Sequence, residues 1–124
     1  MRARGFTLLE LLFVLVIVAL LSSLVAPMLV GSIDQARESA LKQDLHVMRQ
    51  ALDDYHADHG KYPAELAELV QRRYLRAIPV DPITQRSDSW TPVYAGGDSG
   101  ARAIIDVHSG AAQAARDGSQ YRDW

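Results

Sequence analysis

Between Leu11 and Val30 the chain places 17 apolar side chains in 20 positions and no charge, with only Ser22, Ser23 and Pro27 interrupting. As a helix rising about 1.5 Å per residue, that run extends roughly 30 Å, the thickness of a bilayer's hydrocarbon core. A single span in lipid must satisfy its own backbone hydrogen bonds, so helix is the only workable state. Arg2 and Arg4 precede the run and no acid stands before Glu10, so positive-inside bias predicts a cytoplasmic Met1 and the remainder across the membrane. A cleavable secretory signal would require small residues at its cut. Leu24-Val25-Ala26 puts a bulky residue there, with Pro27 behind it. A plain signal anchor is the other simple reading.

Length and composition narrow the rest. A chain of 124 residues has room for one small domain plus an anchor. It has no cysteine, which excludes disulfides, thiolate metal sites and cysteine nucleophiles. The formal charge of -2 gives no reason to expect nucleic acid as a partner. Glu10 stands out as one carboxylate at the edge of an uncharged stretch, and an ionised carboxylate in hydrocarbon is costly unless paired. Either Glu10 reaches the cytoplasmic headgroups, or a cation from another chain neutralises it during assembly.

Arg4-Gly5-Phe6-Thr7-Leu8-Leu9-Glu10, running straight into a long apolar helix, resembles the leader of type IV prepilins and type II secretion pseudopilins. The resemblance implies a leader of residues 1–5. A membrane prepilin peptidase would cut between Gly5 and Phe6 and methylate the new amino terminus at Phe6. It also implies that Glu10 occupies the family's assembly glutamate, pairing with the Phe6 ammonium of a neighbouring subunit. Inside a dry bundle such a pair sets register more than it adds net stability, because truncating either partner strands the other. Pro27 matches the family's helix proline. It removes a backbone donor and clashes one turn back, so a kink or local melting is expected there, with Gly31-Ser32 weakening the helix further.

From Ile33 the pattern becomes amphipathic. Ile33, Ala36, Ala40, Leu41, Leu45, Met48, Leu52 and Tyr55 form one stripe at the helical period, which reads as core rather than as a partner-binding face. The stripe stops at Asp58-His59-Gly60, where Gly60 suits a C-cap and Lys61-Tyr62-Pro63 ends the helix. The expectation is one helix from Phe6 to about His59. Tyr55 followed by Asp58-His59-Gly60-Lys61-Tyr62-Pro63 is similar to the major pseudopilin group. His56 and His59 lie three apart; two nitrogens without a third ligand read as a solvated helix end rather than a zinc site.

In the second half, residues 64–71 read as a short helix with Leu66, Leu69 and Val70 inward. Arg72-Arg73-Tyr74-Leu75-Arg76 is a basic cluster that suits a solvated loop beside anionic headgroups or a subunit contact. Pro79, Pro82 and Pro92 forbid helix beyond it. Residues 74–82 resemble the pseudopilin segment that ends in Pro-x-Asp-Pro, although Ile83-Thr84 stands where the family usually has Trp-Gly. Residues 90–94 and 101–107 read as strands joined by a loop at Gly96-Gly97-Asp98-Ser99-Gly100, with Pro92 at an edge position.

The tail Arg116-Asp117-Gly118-Ser119-Gln120-Tyr121-Arg122-Asp123-Trp124 corresponds to the loop that binds calcium in major pseudopilins. The resemblance makes Asp117, Ser119 and Asp123 oxygen donors, with main-chain carbonyls or water completing a shell of six to eight oxygens. The simpler reading is a turn at Asp117-Gly118 with Trp124 packed on the sheet.

The expected fold is α+β and type IV pilin-like. One long helix, membrane half plus amphipathic half, packs on a small antiparallel sheet. The expected domains are a leader at 1–5, a filament-core helix at 6–31 and a periplasmic domain at 32–124. No nucleophile–base pair, phosphate loop or paired catalytic carboxylates are evident, so a structural protein is expected, not an enzyme. The resemblance implies an inner-membrane pseudopilin that polymerises into the periplasmic pseudopilus of a type II secretion system. Its partners would be itself, other pseudopilins, the inner-membrane assembly platform, the prepilin peptidase and membrane lipid. The alternatives are a minor type IV pilin of a surface filament and a monomeric membrane-anchored binding module.

Overall fold

The computed structural model describes residues 3–96 and 102–124. Most of the expected hairpin loop, and Ala101, lie outside the described residues. Helix α1 runs Leu8–His59, helix α2 Leu66–Gln71, strand β1 Thr91–Tyr94 and strand β2 Ile104–His108; a single turn of 3-10 helix covers Tyr121–Asp123. The arrangement is the α+β, pilin-like one expected. The chain divides into two compact units, Met1–Asp34 and Gln35–Trp124.

The first unit is helix with no core of its own. Its start is built by Thr7, whose hydroxyl accepts the Glu10 backbone N–H at 3.2 Å while its carbonyl accepts the Leu11 N–H at 3.1 Å. Thr7-x-x-Glu10 is the spacing of a capping box. An 18-residue window of α1 has a mean hydropathy of 2.8, and none of that window is buried. Its large apolar side chains are exposed throughout, from 42% at Ile17 to 88% at Leu8. Two of the serines cost little here because they bond back to the helix. Ser23 Oγ donates to the Leu20 carbonyl at 2.7 Å, and Ser32 Oγ to the Met28 carbonyl at 3.1 Å. α1 is unbroken across Pro27 and Gly31-Ser32, so the local melting expected there does not occur. The helical ladder on either side outweighs one missing donor.

The second unit owns the core. Leu41, Leu45, Met48, Ala51, Leu52 and Tyr55 are the buried face of α1. They pack with Leu69, Leu75, Trp90, Ile104, Val107, Ala111, Ala115 and Tyr121. The stripe is therefore core, as expected, but only from Leu41 onward: Ile33, Ala36 and Ala40 are exposed. Periodicity marks which face is apolar; how far the opposing elements reach decides how much of it is covered. Gly60 ends α1 with φ +70 and donates to the His56 carbonyl at 2.8 Å, the left-handed cap that glycine adopts without strain.

The short helix and both strands fall close to their expected places. In α2, Leu69 is buried, with Leu66 and Val70 packed against the core. β1 and β2 pair antiparallel, with Thr91 opposite His108 and Pro92 opposite Val107 and a bulge after Val93. A two-stranded sheet has only edges, which is why Pro92 is tolerated. Ile104 and Val107 point into the core and Ile105 outward. Trp90 lies just before β1 and is held by its indole N–H, which donates to the Pro79 carbonyl at 2.7 Å.

Two positions lock the long segment between α2 and β1. Asp81 is fully buried. Its Oδ1 accepts the Ile83 and Thr84 N–H groups at 2.8 and 3.3 Å, and its Oδ2 accepts the Ser109 hydroxyl. The Asp of the Pro-x-Asp-Pro segment is thus a turn former and a buried acceptor. Gly110 answers the same packing: a Cβ there would lie 1.8 Å from the Ser89 carbonyl oxygen.

Candidate functional site

Arg4, Gly5, Phe6 and Glu10 line one small concavity at the start of α1. The Gly5–Phe6 bond precedes the first helical turn, in residues without regular structure. Phe6 is 86% exposed, and a Cβ at Gly5 would meet nothing within 4 Å. The bond is therefore accessible and unshielded by a neighbouring side chain, which is what a peptidase requires. Capping by Thr7 fixes the backbone at Glu10 one turn inside the helix. Its carboxylate, at the positive end of the helix dipole, is favoured in place. The structure thus brings together four residues of the expected processing and assembly motif, and Thr7 joins them as the cap.

The carboxyl-terminal loop is held from α1. Arg49 donates from Nε to Asp106 Oδ1 at 2.7 Å, and from Nη2 to the Trp124 main-chain oxygen at 2.6 Å and the Val107 carbonyl at 3.1 Å. Glu38 Oε1 accepts the Arg116 N–H at 2.8 Å and the Tyr121 hydroxyl at 3.0 Å. Lys42 Nζ stands 4.8 Å from the centroid of the Trp124 ring, which in turn packs edge-on against Tyr121 at 5.0 Å. His108 Nδ1 also bonds the Trp124 main-chain oxygen.

Of the three expected calcium donors, the fold joins two directly. Asp117 Oδ1 accepts both the Ser119 N–H at 2.9 Å and the Ser119 hydroxyl at 2.6 Å. Ser119 Oγ accepts the Trp124 indole N–H at 2.8 Å. These bonds from Ser119 hold the Asp117 carboxyl below the usual carboxylate range; burial opposes them and the Lys42 charge adds to them. A turn does form here, with the Gly118 N–H on the Ala115 carbonyl at 3.0 Å. Among the described residues no three His, Asp or Glu side chains gather around a common point.

The two helix-end histidines each take an aromatic partner. His56 stacks on Tyr62 with centroids 4.2 Å apart, and His59 lies 4.3 Å from Tyr55. Tyr74, from the basic cluster, donates to Asp58 Oδ2 at 2.6 Å. That bond, with burial assisting, pushes its phenol up to about 12.

An exposed Gly5–Phe6 bond ahead of an uncovered apolar helix, in a chain that also carries a small α+β domain, is the pattern of a protein with an amino-terminal methylation signal. Residues 1–26 match the prokaryotic N-terminal methylation motif. Residues 28–123 match the family model of type II secretion system protein G, and the chain belongs to that family of structural pseudopilins. It is 33% identical over 122 residues to type II secretion system core protein G of Klebsiella michiganensis, covering 86% of this chain and 81% of that protein. The Pseudomonas aeruginosa core protein G is 31% identical over 134 residues, covering 95% and 89%. The Aeromonas hydrophila one is 42% identical over 97 residues, covering 65% and 68%. No solved structure matches the chain.

Sequence reasoning missed Arg49, Glu38 and Asp81 as organising residues. The polar face of an amphipathic helix gives no sign of which charges will meet a loop returning from far along the chain. Thr7 carried a readable signal, since Thr-x-x-Glu before an apolar run is the pattern of a helix start.

Proposed function

We propose that this chain is made as an inner-membrane precursor, cut between Gly5 and Phe6 by the prepilin peptidase and methylated on Phe6. It then polymerises through its amino-terminal helices into the periplasmic pseudopilus of a type II secretion system. The observation that carries this is the uncovered apolar surface of α1 from Leu8 to Val30, opening on an accessible Gly5–Phe6 bond with Glu10 beside it. Such a surface first needs lipid and then other helices. In a filament, helix packing supplies the contacts, and Glu10 meets the Phe6 ammonium of a neighbour, which selects the stagger. Pro27 supplies the bend that lets the helix adapt to its neighbours. Arg2 and Arg4, removed with the leader, hold the precursor with its domain on the periplasmic side.

The protein G match favours secretion over a surface filament for motility or DNA uptake. Partners on this reading are further copies, the other pseudopilins, the assembly platform and the peptidase. The test is the intact mass of protein extracted from membranes. Loss of residues 1–5 together with one added methyl group is expected; a mature protein that keeps Met1 refutes the reading. Glu10→Ala is expected to insert normally and fail to form crosslinked ladders, and normal ladders would remove Glu10 from assembly.

A further inference from the structure

Calcium, implied by resemblance for the loop at Asp117, Ser119 and Asp123, does not fit the donors this chain presents. Asp117 Oδ1 already accepts two bonds from Ser119, and the Ser119 oxygen already accepts the Trp124 indole N–H. A divalent ion would have to break those bonds to reach Asp117 Oδ1 or Ser119 Oγ, and among the described residues Asp117 and Asp123 are not joined by a third carboxylate or imidazole around a common point. It would also enter beside fixed positive charge, because Lys42 and Arg49 line the same concavity of ≈ 470 Å³ as Asp117 and Trp124. Like charges at short range repel strongly where solvent screening is incomplete.

We propose that Lys42 and Arg49 of α1 close the carboxyl-terminal loop in place of a divalent ion, so that the domain folds and holds its tail without calcium. Glu38, Lys42, Leu45 and Arg49 recur at steps of four, three and four, which places them along one helix face. The face is used in order. Glu38 takes the Arg116 N–H and the Tyr121 hydroxyl, Lys42 covers the Trp124 indole, and Arg49 takes the Trp124 main-chain oxygen. A cation on an aromatic face gains from the ring quadrupole. A charged, forked guanidinium on two carbonyls and a carboxylate makes stronger bonds than neutral donors do. Together they supply positive charge and cross-links from the chain itself, which is the service a bound ion renders to an acidic loop. The closure is thereby built into the folding of α1, with no dependence on external ion concentration.

The experiment uses the full chain in detergent micelles, melted in EGTA and in millimolar calcium chloride, with trypsin sensitivity at Arg116 and Arg122 as a second readout. A ligand bound only by the folded state raises Tm with its concentration, so overlapping melts and equal cleavage are expected. A calcium-dependent rise of about 5 °C or more that Asp117→Asn abolishes would overturn the proposal. Lys42→Met keeps the methylene stem over the indole and removes the charge. It is expected to lower Tm by about 2–4 °C and to speed tail cleavage in both buffers, with Lys42→Arg restoring the parent values. A Lys42→Met protein that melts and cleaves like the parent would refute the role of the ammonium.

Discussion

The two stretches of α1 both present Leu and Met side chains, yet these meet opposite fates. From Leu8 to Val30 the helix is apolar on every face and none of its large side chains is covered. From Leu41 to Tyr55 it is apolar along one stripe, and that stripe is almost wholly buried by α2, β2 and the tail. A helix that is apolar all round has no inside to choose, so its burial is left to lipid or to other helices. A helix with one apolar stripe is instructed where to put a domain. Stability of the fold therefore resides in the second stretch, and whatever the first contributes must be collective.

Substitutions separate the two most strongly in the core. Met48→Ala, at a fully buried position, is expected to destabilise the domain by about 2–5 kcal/mol. Val16→Ala, in the exposed stretch, should leave the melt of the full chain in detergent unchanged. A domain melt that responded to both would dissolve the contrast. Asp81→Ala comes next. It strands the Ser109 hydroxyl and two backbone N–H groups, for an expected loss of roughly 2–3 kcal/mol in urea titration.

Smaller effects sharpen the picture by pH. The Tyr74 phenol is raised to about 12 by its bond to Asp58. A group raised on folding contributes stability that is complete below its unfolded value near 10 and is lost as pH climbs toward about 12. Urea midpoints should fall across that window in the parent and more shallowly in Tyr74→Phe. Asp44 is raised by burial and by the neighbouring Asp81 charge, so its ionised form is the disfavoured one in the fold. Its contribution therefore declines as pH rises through its folded value. Asp44→Asn should raise Tm at pH 7 slightly, with the advantage vanishing under acid conditions where the parent carboxyl is also protonated. An advantage that persisted in acid would mean that Asp44 acts through packing.

Much of this was readable beforehand, for identifiable reasons. α1 was legible because both of its patterns are local: an uncharged run, then a stripe at the helical period closed by Gly60. The processing motif, Gly5 through Glu10, was legible for the same reason. Proline punctuation and alternation placed the strands within a few residues. The tail resisted in part. Its turn at Asp117-Gly118 was legible, but its fastening to Glu38, Lys42 and Arg49 was not, because those residues are far away in sequence and adjacent only after folding. The stripe was overextended to Ile33, Ala36 and Ala40 because a face continues past the elements that cover it.

What the amino-acid order determined on its own is everything carried by neighbours within a turn or two. That comprises the long apolar run, the helix start and end, the family to which the chain belongs, and the exclusion of cysteine chemistry. Tertiary structure alone decided which charges matter. Arg49, Glu38 and Lys42 became the fastening of the tail, and Asp81 became a buried turn former, when segments some tens of residues apart closed on one another. Hydrogen bonds and ion pairs act over a few ångströms of space regardless of separation along the chain, so no local pattern could have announced them.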